Sequence, residues 1–476
     1  MGHTRRIVGS VAVAIMAGSV LTACGGGSSS SKGSASSSSS GSGGGGASSS
    51  GSGGGSSPAG KPVTLTLVEY QKIRADAAAL LVPKFEAAMA AQGKNIKVNL
   101  VRDILTDDQF KTKITQEYTA GNAPDVTDYG ATLVPGFAGA GYLLDMSPYL
   151  AKWSDWSSFF PAVKDQVRQP DGKTYSLPHE ANTQSLFYRK DVLTKLGVAT
   201  TQPKSWPELT QRLQAITAKT GQPSIVLPAG TAWGGGTFAE GFLNVLLGGK
   251  GTIYDTKTNK WVVKSAALTD TFNLYASLFK DKLLPVQALL NPNPWEPTKY
   301  AAFPKGTLPV AAQGTWGWRY DWGPTGSAPI PGLLSKVSTW NYPAFVGQPY
   351  SVGSVGFEYQ VTAKTKAPDA AMDLVEWLST GSAMAQQLVA VGAAAPRSGI
   401  DTVAPYATQP PLLAAEKQLS GSRGFPTRPG QDQIAQAVGQ ATESILTGKA
   451  DGPAAADQFA KNATSLLGSD QVETQS

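Results

Sequence analysis

The chain has 476 residues, a net charge of +6 and a single cysteine. Its basic residues are scattered rather than clustered, which argues against a nucleic-acid-binding face, and one cysteine excludes an internal disulfide or a cysteine metal cluster. Few charges beside 11 Trp and 15 Tyr leave aromatic rings in surplus, either for the core or as flat faces for a ligand.

In chain order, His3, Arg5 and Arg6 precede the uncharged apolar run from Ile7 to Val20. At about 14 residues this run is too short to span a bilayer as a helix, which needs roughly 20. It suits the apolar region of a cleaved export signal. Leu21-Thr22-Ala23-Cys24 follows and resembles the lipobox of bacterial lipoproteins. The resemblance implies a signal peptide over 1–23, removed on export, and a lipid on Cys24. Residues 24–60 then form a Gly/Ser tether, expected to be disordered. As a coil it has a root-mean-square span of about 30–36 Å. No later segment is an apolar run of membrane-spanning length.

The body opens with the alternating strand pattern Val63–Val68 and a helical spacing of Ala77, Leu81, Phe85 and Met89, interrupted by Pro83. A strand over Ile96–Val101, a helix over Asp107–Ala120 and a strand entered through Pro124-Asp125-Val126 follow. Helices are expected over Asp191–Leu196, Trp206–Lys219, Phe238–Leu247 and Ala267–Lys280. Strands are expected over Ser224–Leu227 and Leu308–Ala312, a hairpin about 255–260, and an extended segment over Val352–Thr362. The last part reads as helices over 368–379, 383–391, 430–447 and 453–466. Strands alternating with helices predict an α/β layered fold with a largely parallel sheet. The 255–260 turn is not a calcium loop, because Lys257 stands where an oxygen ligand is needed. Enzyme motifs are missing: no Gly-x-Ser-x-Gly, no His-Glu-x-x-His, and a Gly-rich stretch at 248–252 with the wrong spacing for a phosphate loop. His179, the one histidine of the mature chain, reads as structural.

A set of segments then occurs in a telling order. Ala120-Gly121-Asn122-Ala123-Pro124-Asp125-Val126 is followed by Gly141-Tyr142-Leu143-Leu144-Asp145 and by Tyr175-Ser176-Leu177-Pro178. Ser185-Leu186-Phe187-Tyr188-Arg189, Pro203-Lys204-Ser205-Trp206-Pro207, Phe303-Pro304-Lys305-Gly306 and Gly314-Thr315-Trp316 complete it. Together these resemble the extracellular solute-binding proteins of ABC importers, of the maltose-binding-like type that takes sugars and oligosaccharides, over nearly all of 62–470. The resemblance implies an α/β, two-lobed periplasmic-binding-protein-like fold (type II), with hinge crossings between the lobes. The first lobe would span 62–180 plus 352–405 and the second 184–350 plus 406–470. It further implies no catalysis, no cofactor and no metal. The expected partners are a sugar or oligosaccharide, the ABC permease and the membrane through the lipid, with the protein a monomer that binds no nucleic acid. An exported glycan hydrolase and a ligand-presenting sensor are the competing readings.

Sugar capture needs flat rings for the apolar faces of a pyranose and paired polar groups for its hydroxyls. Loops at the carboxyl ends of strands are where an open α/β sheet places such groups. Tyr70 and Gln71 follow the first strand, Asp128 and Tyr129 the third, and Asn182 sits at the crossing. Trp233 lies in a Gly-rich loop, Trp316 and Trp318 follow the 308–312 strand, and Arg397 and Arg428 are cations able to reach a hydroxyl or an acid. Within the resemblance, Tyr129 and Trp316 fall at stacking positions, Asn182 replaces a carboxylate, and Asp125 holds a turn. Trp295 and Trp322 stay unassigned.

Overall fold

The structure of the protein, a computed structural model, describes residues 62–249, 251–419, 421–424 and 427–475. Cys24 and the expected export signal and tether lie outside them.

Alternating apolar residues make Val63–Glu69 a strand whose inner positions, Leu65 and Leu67, are fully buried. It pairs in parallel with Ile96–Arg102 on one side and Val126–Gly130 on the other. The strand Phe357–Val361 joins antiparallel to Val126–Gly130, and Leu177–Pro178 completes a five-stranded sheet. The helix Lys72–Ala91 covers one face and runs through Pro83 unbroken. The helix Asp107–Ala120 covers the other, started by a capping box between Thr106 and Gln109 and ended by the left-handed Gly121. Asp125 accepts from the Thr66 amide at 2.9 Å and from the Thr365 hydroxyl at 2.5 Å, tying the entry of its strand to the sheet.

A six-stranded sheet forms the second layer structure. Its axis is Ala181–Arg189, buried at all nine positions, and flanked by Val310–Gly314 and Val352–Val355, both antiparallel to it. A continuous buried run of this kind shows no alternation, so only its second half stands out in the sequence, as the Ser185–Arg189 segment. The predicted Phe238–Leu247 helix begins as a π-helical turn over Thr237–Phe242 before Leu243–Leu246. The hairpin Tyr254–Asp255/Lys260–Lys264 gains a third strand, Val472–Thr474, that carries no periodic signal.

The extended segment 352–362 is two strands in different sheets. Val352–Val355 pairs with Ala181–Arg189, whereas Phe357–Val361 pairs with Val126–Gly130. Gly356 stands between them, beside the other crossing at Glu180. A Cβ on Gly356 would come within 2.3 Å of Glu180 Oε1 and 2.5 Å of Asn182 Nδ2, so the close approach of the two crossings requires glycine.

The cores divide accordingly. One is built from the second sheet and from Ile434–Ala463; the first sheet has two, one packed with residues from Ala370 to Leu419 and one around Tyr70, Phe110, Tyr118 and Tyr129. The helix Pro410–Leu419, not anticipated, buries Leu412, Ala415 and Leu419 in the first core, because their spacing places them on one helical stripe. The helices Gln431–Leu446 and Gly452–Leu467 then belong to the second core.

Candidate functional site

A cleft of about 950 Å³ lies where the two layer structures face each other, lined by residues of both and by the crossings. A smaller recess of about 450 Å³ opens at the other end of the first sheet, around Val63 and Thr362, away from the crossings. Of the predicted residues, Tyr70, Gln71, Tyr129, Asn182, Trp233 and Trp316 line the cleft. Asp128, Trp318, Arg397 and Arg428 do not.

The first-lobe wall is an aromatic stack. Tyr70 lies 4.3 Å from Phe110 and 5.3 Å from Tyr129, with Phe357 at 5.9 Å. Its hydroxyl donates to Asp107 Oδ1 at 2.8 Å. Arg74, a helical residue that the sequence gives no reason to select, lies 3.5 Å over the Phe357 ring and donates two hydrogen bonds to Glu180, at 2.8 and 3.0 Å. Its Nε donates to Gln71 at 3.0 Å. Asp128 sits behind this wall, 3.9 Å from Arg74 and sharing a 2.7 Å hydrogen bond with His179, whose ring stacks on Tyr359. Burial, reinforced by the charge of Asp128, pushes the Glu69 carboxyl well above its ordinary range.

The second-lobe wall carries tryptophans over a polar network. Trp233 lies 5.6 Å from Trp295, its indole N–H has no hydrogen-bond partner among the described residues, and Lys299 Nζ stands 5.3 Å from its ring centre. Lys299 donates to Glu240 at 2.6 Å and to Gln313, and Gln313 donates to Asp321. Tyr300 also donates to Asp321, at 3.2 Å. Burial raises the Asp321 carboxyl to about 6. Asn182 accepts from the Thr315 hydroxyl at 2.9 Å, which joins the crossing to the Trp316 turn.

Trp316 owes its position to Gly314. A Cβ there would lie 1.8 Å from the indole ring, far inside contact distance. Gly314→Ala is therefore expected to displace Trp316 and to cost about 1–3 kcal/mol of stability. Denaturant unfolding checks the second effect; a changed near-ultraviolet circular dichroism spectrum checks the first.

The other four candidates have structural partners. Trp318 rests on Phe187 at 4.9 Å, because the tight 315–318 turn directs alternate rings apart. Arg397 is paired with Asp155 at 2.6 Å and donates to the Ser379 carbonyl, holding the end of the first core together. Arg428 donates to the Arg168 carbonyl at 3.0 Å and lies over the Tyr254 ring. Each of these cations is spent on backbone or on an acid within its own surroundings, which spacing alone does not reveal.

Glu358 also lines the cleft. It is 1% exposed, and neither carboxyl oxygen has a formed hydrogen bond among the described residues. Burial raises it from 4.5 to about 8, although the nearby Ser176 hydroxyl opposes this. The folded chain thus holds a proton that the unfolded chain releases. That stabilisation is complete below about pH 4.5 and is lost as pH rises through about 8. Stability is expected to fall across this window with a slope of up to about 1.4 kcal/mol per pH unit, and Glu358→Gln to flatten it. Denaturant titrations of both proteins at pH 5 and pH 8.5 read the difference.

Among the described residues, no grouping of His, Cys, Asp and Glu is arranged to hold a metal ion, and no helix is long and apolar enough to cross a membrane.

Two α/β lobes, paired crossings and a cleft walled by aromatic rings from both sides define a hinged, two-lobed binding protein. The chain belongs to the family of bacterial extracellular solute-binding proteins, whose model matches residues 68–385. It is 28% identical over 177 residues to the diacetylchitobiose binding protein DasA of Streptomyces coelicolor, a match covering 36% of this chain and 39% of that protein. The chain thus matches under two-fifths of the length of this curated relative. The fold is similar to the GacH receptor of Streptomyces glaucescens, with a TM-score of 0.69 and 21% identity over 86% of this chain and 99% of the other. The sugar-binding protein MalE of Xanthomonas citri is similar to the same degree, with a TM-score of 0.69 and 22% identity over 85% of this chain and 97% of the other. The family is one of solute-binding proteins, and the Xanthomonas structure is named as a sugar-binding protein.

Proposed function

We propose that the chain captures a sugar or oligosaccharide between its lobes and delivers it to an ABC permease, held outside the membrane by a lipid on Cys24. The observation that carries this reading is a cleft lined from both lobes by aromatic residues, with the partly exposed rings of Phe357 on one wall and Trp295 and Trp316 on the other backed by the buried Tyr70, Tyr129 and Trp233. Polar groups from Gln71, Asn182 and the Glu240–Lys299 pair stand among them, the mixture that a pyranose requires. Relatives support it: GacH was solved with acarbose, DasA is named for diacetylchitobiose, and the Xanthomonas protein is named as sugar-binding. Quenching of cleft tryptophan fluorescence by a panel of mono- and oligosaccharides tests the reading; a response to peptides or polyamines alone contradicts it. Lipidation is tested by mass spectrometry of membrane-bound chain, with Cys24→Ser expected to release it.

Closure is the step a permease reads. Lys111 on the helix Asp107–Ala120 and Asp432 on the helix Gln431–Leu446 form a 2.5 Å ion pair between the lobes, with side chains 42% and 53% exposed. A pair this exposed contributes about 0–1 kcal/mol. Lys111→Ala is thus expected to change sugar affinity by less than about fivefold, measured by calorimetry.

A further inference from the structure

The charge of the cleft runs against that of the chain. The whole sequence has 40 basic and 34 acidic residues, yet among the described residues eight carboxylic ones and three basic ones line the cleft. Each of those three basic groups is already engaged with an acid: Arg74 with Glu180, Lys111 with Asp432 and Lys299 with Glu240. Among the described residues of the lining, an anionic ligand finds no free counter-charge. The acids are in the opposite position, since Asp108, Glu296 and Glu358 line the cleft without any ion pair formed within it.

Two further features point to what would enter. Glu358 is almost wholly buried, and both its carboxyl oxygens lack a hydrogen-bond partner among the described residues. At neutral pH Glu358 holds its proton in the free protein; an entering ammonium group favours the charged form, so the carboxyl releases that proton to solvent as the pair forms. Glu296 adjoins Trp295 in the wall of tryptophan rings, and a carboxylate beside aromatic faces is an environment that attracts an ammonium group. Its exposure leaves it free to meet a ligand rather than the core.

From this arrangement we infer that the preferred ligand is an amino-sugar oligosaccharide carrying a free, protonated amine, and that phosphorylated or uronate sugars are rejected. The inference rests on the sugar-binding reading and narrows it. Neutral sugars meet the same rings and hydroxyl partners but bring nothing to the unpaired acids. Acidic sugars meet the rings and are repelled.

The test uses the full chain and three matched probes: glucosamine oligomers of two to four units, the same oligomers fully N-acetylated, and uronic acid oligomers of equal length. Calorimetric titration at neutral pH and low salt is expected to give the free-amine oligomer an affinity at least about tenfold above the acetylated one, with no measurable uronate binding. The advantage is expected to shrink at high salt. Glu358→Gln and, independently, Glu296→Gln are each expected to reduce it severalfold, read as the ratio of the free-amine to the acetylated oligomer's affinity. The second, on an exposed residue, keeps the test decisive should the first destabilise the fold. Equal or tighter binding of the acetylated or uronate oligomers overturns the inference and leaves the sugar-binding reading standing. Failure of all three, together with neutral sugars, overturns both.

Discussion

Arg74→Met is expected to lower the stability of the chain by about 3–5 kcal/mol, the cost of removing one partner from a buried ion pair. Arg74 is 8% exposed, and its guanidinium grips Glu180 with two hydrogen bonds and lies 3.9 Å from Asp128. Glu69, fully buried, belongs to the same group and depends on Arg74 to offset the field of its neighbours. Methionine fills the space and leaves Glu180 and Asp128 without their cation. The remaining carboxyls then take up protons more readily, so the variant is expected to lose less stability at pH 5 than at pH 8. Thermal unfolding at both values checks this, and Glu180→Gln in the same chain is expected to recover part of the loss. Because Glu180 is at the crossing and accepts from the Phe357 amide at 3.0 Å, the damage falls on the hinge itself. An unfolding midpoint within about 1 °C of the parent's would show that the cluster is not the structural anchor its geometry describes.

Trp316→Ala is expected to weaken sugar binding about 30- to 100-fold, roughly 2–3 kcal/mol, with a small effect on stability. Trp316 is only partly buried and lines the cleft, so its ring is available to a ligand, whereas the 1% exposed Trp233 is also part of the second core. Truncating Trp233 would mix a packing loss of about 3–5 kcal/mol with any loss of binding. Trp318, which rests on Phe187 outside the cleft, supplies the contrast. Trp318→Ala is expected to leave affinity within about twofold. Fluorescence titration of the three proteins with one sugar separates these outcomes.

The strands and helices with clear periodicity were readable from the residues alone. Val63–Glu69 alternates, and Asp107–Ala120 carries both its capping box and its terminal glycine. Ala181–Arg189 was not fully readable, because a strand buried at every position has no period to detect. The site was legible where a residue type has one dominant use. Tyr70 and Trp316 are flat rings just after strands and Tyr129 one near a strand end, and all three line the cleft. Cations were the opposite case. Arg397 and Arg428 lie in loops that look accessible, and both are consumed by acids or carbonyls far away in sequence. Arg74, Lys111 and Lys299 carry no motif that singles them out, and they stand in the cleft. Which charges meet depends on long-range folding, and composition does not encode it.

Isothermal titration calorimetry of the full chain against a panel of neutral and amino sugars tests the central claim most directly. Saturable one-to-one binding to at least one sugar, with a negative heat-capacity change from burial of its faces against the cleft rings, is the predicted result. The absence of heat with every sugar, from folded protein that binds a peptide or polyamine instead, would contradict it.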